Sequence, residues 1–203
     1  MPKALKNKIV IPPSRRDPGW GLPIRLTDEE MTAAWISARR REDRIQQKQG
    51  GIPNEDNGRL MWHYQQFKGL MAAARMLMLS PLEVLREARR SLYGCRFTFK
   101  KLTFDICTGK MRGSPLGISA WNEKFAEWID ADIYLLVWPF DSHQHTGSLR
   151  LDSLSVVGWL GKNGVRKFGK FDDRSVKKRW IVPAERMNQP PMPDIECRMD
   201  LIK

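Results

Sequence analysis

The spacing of apolar positions changes along this chain, from a helical repeat in the first half to a strand repeat in the second. After Leu26-Thr27-Asp28-Glu29-Glu30, the residues Met31, Ala34, Trp35 and Ala38 recur at helical steps. Thr27 reads as an N-cap and Glu30 as the partner that completes a capping box. A helix is predicted from there to about Gln47, stopped by Gly50-Gly51-Ile52-Pro53-Asn54. Leu60, Tyr64, Phe67, Met71 and Ala74 mark one face of a second helix, from about Arg59 to Leu77. Gly69 and Ala72-Ala73-Ala74 keep that helix slim, as close packing on a sheet requires. Ser80-Pro81-Leu82-Glu83 opens a third, with proline at the first helical position; it carries Leu82, Leu85 and Ala88 inward and should end near Gly94.

The period then drops to two. Phe97 and Phe99 alternate with polar residues, as do Leu102, Phe104 and Ile106. A turn-rich stretch from Thr108 to Pro115 precedes a strand over Leu116 to Trp121. Ile133-Tyr134-Leu135-Leu136-Val137-Trp138 is continuous and apolar, the pattern of a central strand covered on both faces. A polar loop, Pro139 to Gly147, leads through Leu149, Leu151 and Leu154 into the strand Ser155 to Leu160. A glycine- and lysine-rich loop and a short strand, Arg179 to Val182, close the series. Helices followed by a run of strands define an α+β fold with a mixed central sheet. Five prolines within residues 1–26 make an extended basic arm. A single domain then covers 27–183, and a Pro-rich, loosely packed tail covers 184–203.

Charge sharpens the picture. The 203 residues carry 35 Lys and Arg against 23 Asp and Glu, a net of +12. Residues 1–16 contribute +5, while 86–112 and 162–179 contribute +6 each, which leaves the rest of the chain at −5. Such clustering suits a polyphosphate, because each neutralised phosphate releases condensed counterions. A partner of this kind is nucleic acid, DNA first, contacted through its backbone with little base reading. The residues expected to touch phosphate are Lys110, Arg112, Arg166, Lys167, Lys170, Lys177, Lys178 and Arg179. Trp20 and Trp121 are candidates to stack on a base. No apolar run reaches membrane-spanning length, and Met1 to Lys6 is not followed by the apolar core of a signal peptide. Three cysteines, Cys95, Cys107 and Cys197, lack metal spacing, so the chain reads as cytoplasmic and reduced, with a virion-associated location as the alternative.

Several short patterns together resemble the PD-(D/E)XK, or restriction-endonuclease-like, superfamily in its phage-encoded members. They are the slim helix Lys68 to Ala74, the strand Leu102-Thr103-Phe104-Asp105, the strand Gly117-Ile118-Ser119-Ala120-Trp121 and the strand Asp132 to Trp138. Val156-Val157-Gly158-Trp159-Leu160 and Trp180-Ile181-Val182-Pro183 are the most specific of them. The likeness spans about residues 26–193. It implies a restriction-endonuclease-like fold. It also implies a nuclease site in which an aspartate on one strand, and an acid two residues before a lysine on the next, hold Mg²⁺ at the scissile phosphate.

Asp105 matches the first position. The acid-x-Lys position reads Ser119-Ala120-Trp121, and the helix from Lys68 to Arg75 has no acid. Serine offers no anionic ligand and tryptophan no transferable proton. The expectation is therefore a nucleic-acid-binding pseudo-nuclease with a vestigial ligand at Asp105 and no cofactor, Mg²⁺ entering only if activity survives. Displaced ligands for an active Mg²⁺-dependent DNA nuclease would come from Glu83, Glu87, Glu123, Asp130 and Asp132. A third reading is an interaction or virion protein that docks a host or phage protein through its Pro-rich arm and tail. Three other patterns point elsewhere. His143-x-His145, with Asp141 or His63, reads as a surface loop rather than a metal site. Cys107 reads as strand packing rather than a nucleophile, and Gly161-Lys162-Asn163-Gly164 lacks P-loop spacing.

Overall fold

The structure is a computed structural model and describes residues 23–49, 57–89, 95–109, 113–119, 129–139, 153–173 and 179–188. Three helices come first: α1 (Asp28–Gln49), α2 (Asn57–Met76) and α3 (Pro81–Ala88). The capping box forms as expected, with the Glu30 N–H donating to Thr27 Oγ1 at 3.2 Å and the Thr27 N–H to Glu30 Oε2 at 2.8 Å. Glu30 also accepts from Arg75 Nε at 2.9 Å, so one carboxylate both starts α1 and ties it to the end of α2. The third helix is shorter than expected, and residues 90–94 lie outside the described ones.

Strands β1 (Ile24–Arg25), β2 (Arg96–Phe99), β3 (Leu102–Thr108), β5 (Ile133–Pro139) and β6 (Ser153–Gly161) form one sheet in the order β1-β6-β5-β3-β2. The pair β3–β5 is parallel and the other neighbours are antiparallel, so the sheet is mixed and the fold is α+β. As its unbroken apolar run implies, β5 is the middle strand and buried along its whole length. Strand β4 (Leu116–Ser119) joins β7 (Lys170–Asp172) and β8 (Arg179–Val182) in a second sheet ordered β4-β8-β7.

Two stretches differ from expectation. The glycine- and lysine-rich segment after β6 is not a loop but helix α4 (Lys162–Phe168). Gly161 at its N-cap and Gly164 inside it hid the helix, yet a Cβ on Gly164 would sit 2.8 Å from Leu160 Cδ2, so glycine is what lets α4 lie on β6. Past Pro183 the chain first docks rather than loosening. Residues Ala184–Arg186 make a 3₁₀ turn, Ala184 is buried, and Asn188 exchanges both backbone hydrogen bonds with Trp159 at 2.9 and 3.1 Å. Residues 189–203 lie outside the described ones. The arm's last residues are extended, and β1 pairs with the outer edge of β6.

The sheet separates two apolar cores. On one face, α1, α2 and α3 pack over Phe97, Phe104, Ile106, Ile133, Leu135, Val137, Leu154 and Val156. On the other, Tyr134, Leu136, Trp138 and Leu160 meet Leu116, Ile118, Val165 and Val182 of the smaller sheet and α4. Alternation along β3 and β5 sends successive residues to opposite cores. The slimness of α2 is used at Gly69, where a Cβ would overlap Thr108 Oγ1 at the end of β3. Beside it Gln66 Nε2 donates to the Thr108 carbonyl at 3.1 Å, and the Thr108 N–H returns a bond to Gln66 Oε1 at 3.3 Å. Among the described residues no helix is long and apolar enough to cross a membrane.

Candidate nucleic-acid interface

Asp105 sits on β3 facing the smaller core, opposite Arg96 on β2 and Tyr134 on β5. The residue is 7% exposed, and its carboxylate accepts from Arg96 Nε at 3.0 Å. The same guanidinium reaches Asp130 through Nη1, at 2.8 Å to Oδ1 and 2.9 Å to Oδ2. Burial pushes the Asp105 carboxyl above the usual aspartate range; the Arg96 charge pulls against that, and the Asp130 charge adds to it. Burial works against the charge of Arg96, but two carboxylates more than offset it and its pKa rises. Tyr134 is raised as well, chiefly by burial, and its hydroxyl accepts from the Ala131 N–H at 3.2 Å.

Ser119, the one described residue of the acid-x-Lys position, does not lie on a strand hydrogen-bonded to β3. Strand β4, which ends at Ser119, pairs with β8 in the second sheet, whereas the neighbours of β3 are β2 and β5. Three of the candidate displaced ligands have structural partners. Asp130 holds Arg96. Asp132 accepts from the Thr103 N–H at 2.8 Å, and Glu87 from the Thr98 N–H at 2.9 Å on the outer edge of β2. Glu83 is exposed in the first turn of α3. Ala120, Trp121 and Glu123 lie outside the described residues. Among the described residues no group of three or more His, Cys, Asp or Glu side chains is placed to hold a metal ion.

The expected phosphate contacts divide. Arg166 and Lys167 lie exposed in the last turn of α4, Lys170 on β7 and Arg179 on β8. The lysines and arginines at 110, 112, 177 and 178 fall outside the described residues, as does Trp20. Arg179 Nε stands 3.6 Å from Asp172 Oδ2, directly across the β7–β8 ladder. Lys167 Nζ lies 5.4 Å from the Phe168 ring centroid. Arg186, from the turn after β8, brings its guanidinium within 5.8 Å of the same ring. The fold therefore gathers Lys167 and Arg186 near one half-buried aromatic, Lys170 stands exposed at the start of β7, and no carboxylate among the described residues pairs with any of the three.

Arg186 and Arg96 are the residues sequence reading missed. Arg186 follows Pro183 in a stretch that looked like tail. Arg96 is visible only once the β2–β3 register is known. The thiols behave as packing groups: burial pushes Cys95 up to about 11 and Cys107 well above its ordinary value. His63 is buried in α2 near Glu42, and the loop of His143 and His145 lies outside the described residues. The chain matches no protein-family model, no curated protein and no solved structure. The reading of the site rests on its own chemistry.

Proposed function

We propose that this protein binds nucleic acid, DNA in the first place, through backbone phosphates and does not cut it. The observation that carries the reading is the exposed pair Lys167 and Arg186 beside Phe168, with Lys170 exposed on β7, none of the three neutralised by a described carboxylate. Cations on short rigid elements around a ring suit phosphate contact, with the ring available to a base or sugar. Arg166 and Arg179 extend the same surface.

Arg96 supports the second half of the reading. A carboxylate serving phosphodiester cleavage must offer its oxygens to a divalent cation. Asp105 offers them to a guanidinium that it shares with Asp130. On this reading the chain is a restriction-endonuclease-like scaffold, a phage pseudo-nuclease, in which an organic cation has taken the place of the metal.

The test is a titration of labelled single- and double-stranded DNA at low and moderate salt, with Mg²⁺ present and a gel run afterwards. Affinity for duplex should fall with salt at a log–log slope of about −3 to −4, as about four phosphate contacts require, and the DNA should stay intact. Cleavage that disappears with chelator and in Asp105→Ala would overturn the pseudo-nuclease reading in favour of an active enzyme with displaced ligands. Absence of binding at both salt concentrations would redirect the search to a host or phage protein partner.

A further inference from the structure

On the helix face of the sheet, away from α4, lies a groove of about 380 Å³ lined by Ser37, Arg40, Asp43, Arg44 and Arg89. The residues from α1 stand three and four apart, on one stripe of the helix. Arg89, at the C-cap of α3, forms the other wall. We propose that this groove binds a phosphate group, as a site separate from the surface around Phe168.

Three guanidiniums line the groove against one carboxylate. Four other arginines have acids: Arg59 bonds Glu42, Arg75 bonds Glu30, Arg96 bonds Asp105 and Asp130, and Arg179 faces Asp172. Arg40, Arg44 and Arg89 have no carboxylate among the described residues within ion-pair distance, and Asp43 pairs with none of them. Three like charges around one concavity repel one another, and an anion bearing one or two charges relieves that repulsion.

The groove is also pre-shaped. Arg44 Nη2 donates to the Arg89 carbonyl at 2.6 Å and its Nε to the Arg40 carbonyl at 3.4 Å, which fixes its planar fork between α1 and α3. A guanidinium has five N–H groups, so Arg44 keeps donors beyond those two. The end of α3 would ordinarily repel an anion, because carbonyl oxygens project there. Here two of them are already capped, Ala88 by Arg41 Nη2 at 3.4 Å and Arg89 by Arg44. A fixed guanidinium fork matches the paired oxygens of a phosphate better than an ammonium does.

The phosphate can belong to a nucleic-acid strand or to a free nucleotide, and the experiment separates the two. The full chain, the groove variant Arg40→Gln/Arg89→Gln and the surface variant Lys167→Gln/Lys170→Gln/Arg186→Gln are each titrated with ADP and with a labelled oligonucleotide. Arg44 is left in place because it joins two helices. The groove variant should lose about tenfold in affinity for at least one probe, while the surface variant keeps its affinity for ADP. Loss on ADP identifies a free nucleotide; loss confined to the oligonucleotide identifies a strand. A groove variant that binds both probes as the unaltered chain does, or an unaltered chain that binds neither, overturns the proposal. Should the groove variant fold poorly, butanedione modification of Arg40 and Arg89 in the unaltered chain gives the same answer. Both must be shielded by the bound probe, and equal modification with and without it refutes the site. Loss of oligonucleotide binding in the surface variant alone, with ADP affinity unchanged in the groove variant, would leave the reading above standing and the groove refuted.

Discussion

Arg89 and Arg96 stand seven positions apart in the chain, and their guanidiniums meet opposite surroundings. Arg96 lies across a buried carboxylate and a second, exposed one, and its charge is consumed within the fold. Arg89 faces a groove with two more arginines and a single carboxylate, Asp43, that pairs with none of them. Residue type therefore says little about what a cation does here. The nearest acid decides whether it holds the molecule together or faces outward to a ligand.

Removing the paired arginine should have the largest effect. Arg96→Met leaves Asp105 buried without its counter-charge and should cost about 3 kcal/mol at pH 7, the low end for a broken buried pair because the guanidinium is 37% exposed. The folded-state pKa of Asp105 is already above its ordinary 3.8, and the substitution raises it further. A group shifted in that direction contributes most below its unfolded pKa and loses the contribution as pH rises through the folded one. The deficit of the variant should therefore shrink as pH falls from 7 towards 4, as read by urea unfolding at each pH. A constant deficit would separate Asp105 from Arg96.

A smaller effect is expected at Glu42, where Arg59 donates from Nε at 2.8 Å and Gln46 from Nε2 at 3.0 Å. Burial raises this carboxyl, but the Arg59 and Gln46 hydrogen bonds and the Arg59 charge outweigh it, and its pKa falls below the ordinary 4.5. The sign is opposite to that of Asp105: the stabilisation is present above 4.5 and lost as pH falls through the folded value. Arg59→Ala should cost about 1–2 kcal/mol at neutral pH, and the loss of stability on acidification below 4.5 should flatten. Thermal melts across pH 3–7 test both.

The turn joining β2 to β3 holds two cations in a left-handed backbone, Lys100 at φ 49° and Lys101 at φ 67°. Two successive positive φ angles make the hairpin turn that asparagine–glycine favours. Lys100→Asn/Lys101→Gly should stabilise the fold by about 1 kcal/mol, seen as a higher Tm; an unchanged Tm would mean the turn is unstrained.

The least effect should follow from the groove. Arg40→Gln/Arg89→Gln should move stability by less than about 0.5 kcal/mol, in contrast to Arg96→Met. A loss near that of Arg96→Met would mean that these arginines, too, are structural. Neither Cys95 nor Cys107 should react with an alkylating reagent at pH 8 in the folded protein, since both thiols are held protonated. Mass spectrometry of a Cys197→Ser chain before and after treatment checks this, and labelling of either would place that thiol outside the core.

Helix starts and the central strand were legible in the sequence, because each rests on local chemistry. Thr27 with Glu30, Pro81 at a first helical turn and the apolar run of β5 need no distant partner to be recognised. What stayed hidden depends on pairing across the chain. The alternation in Leu116–Ser119 marks a strand but does not say which sheet it joins, and β4 joined β8. Strand β7 has only three residues, and its register comes from β8. At the site, Asp105 was visible as an acid on a strand, while its partner was not. The two-residue turn sets Phe99 against Leu102, and that register places Arg96 against Asp105. Arg186 was missed because proline density reads as loose tail, whereas Ala184 and Met187 pack into the smaller core.

The placement of β5 also bears on how the molecule comes apart. Ile133, Leu135 and Val137 belong to the core under the helices, while Tyr134, Leu136 and Trp138 belong to the core under the smaller sheet. Neither core can melt without stripping one side of a strand whose other side is still engaged, so the two are thermodynamically one unit. Despite its two separate apolar clusters, the domain should unfold in a single cooperative transition. The β5 amides should be the last to exchange with deuterated solvent, released only by global opening, while the two-residue β1 and the edge of β7 exchange through local fraying.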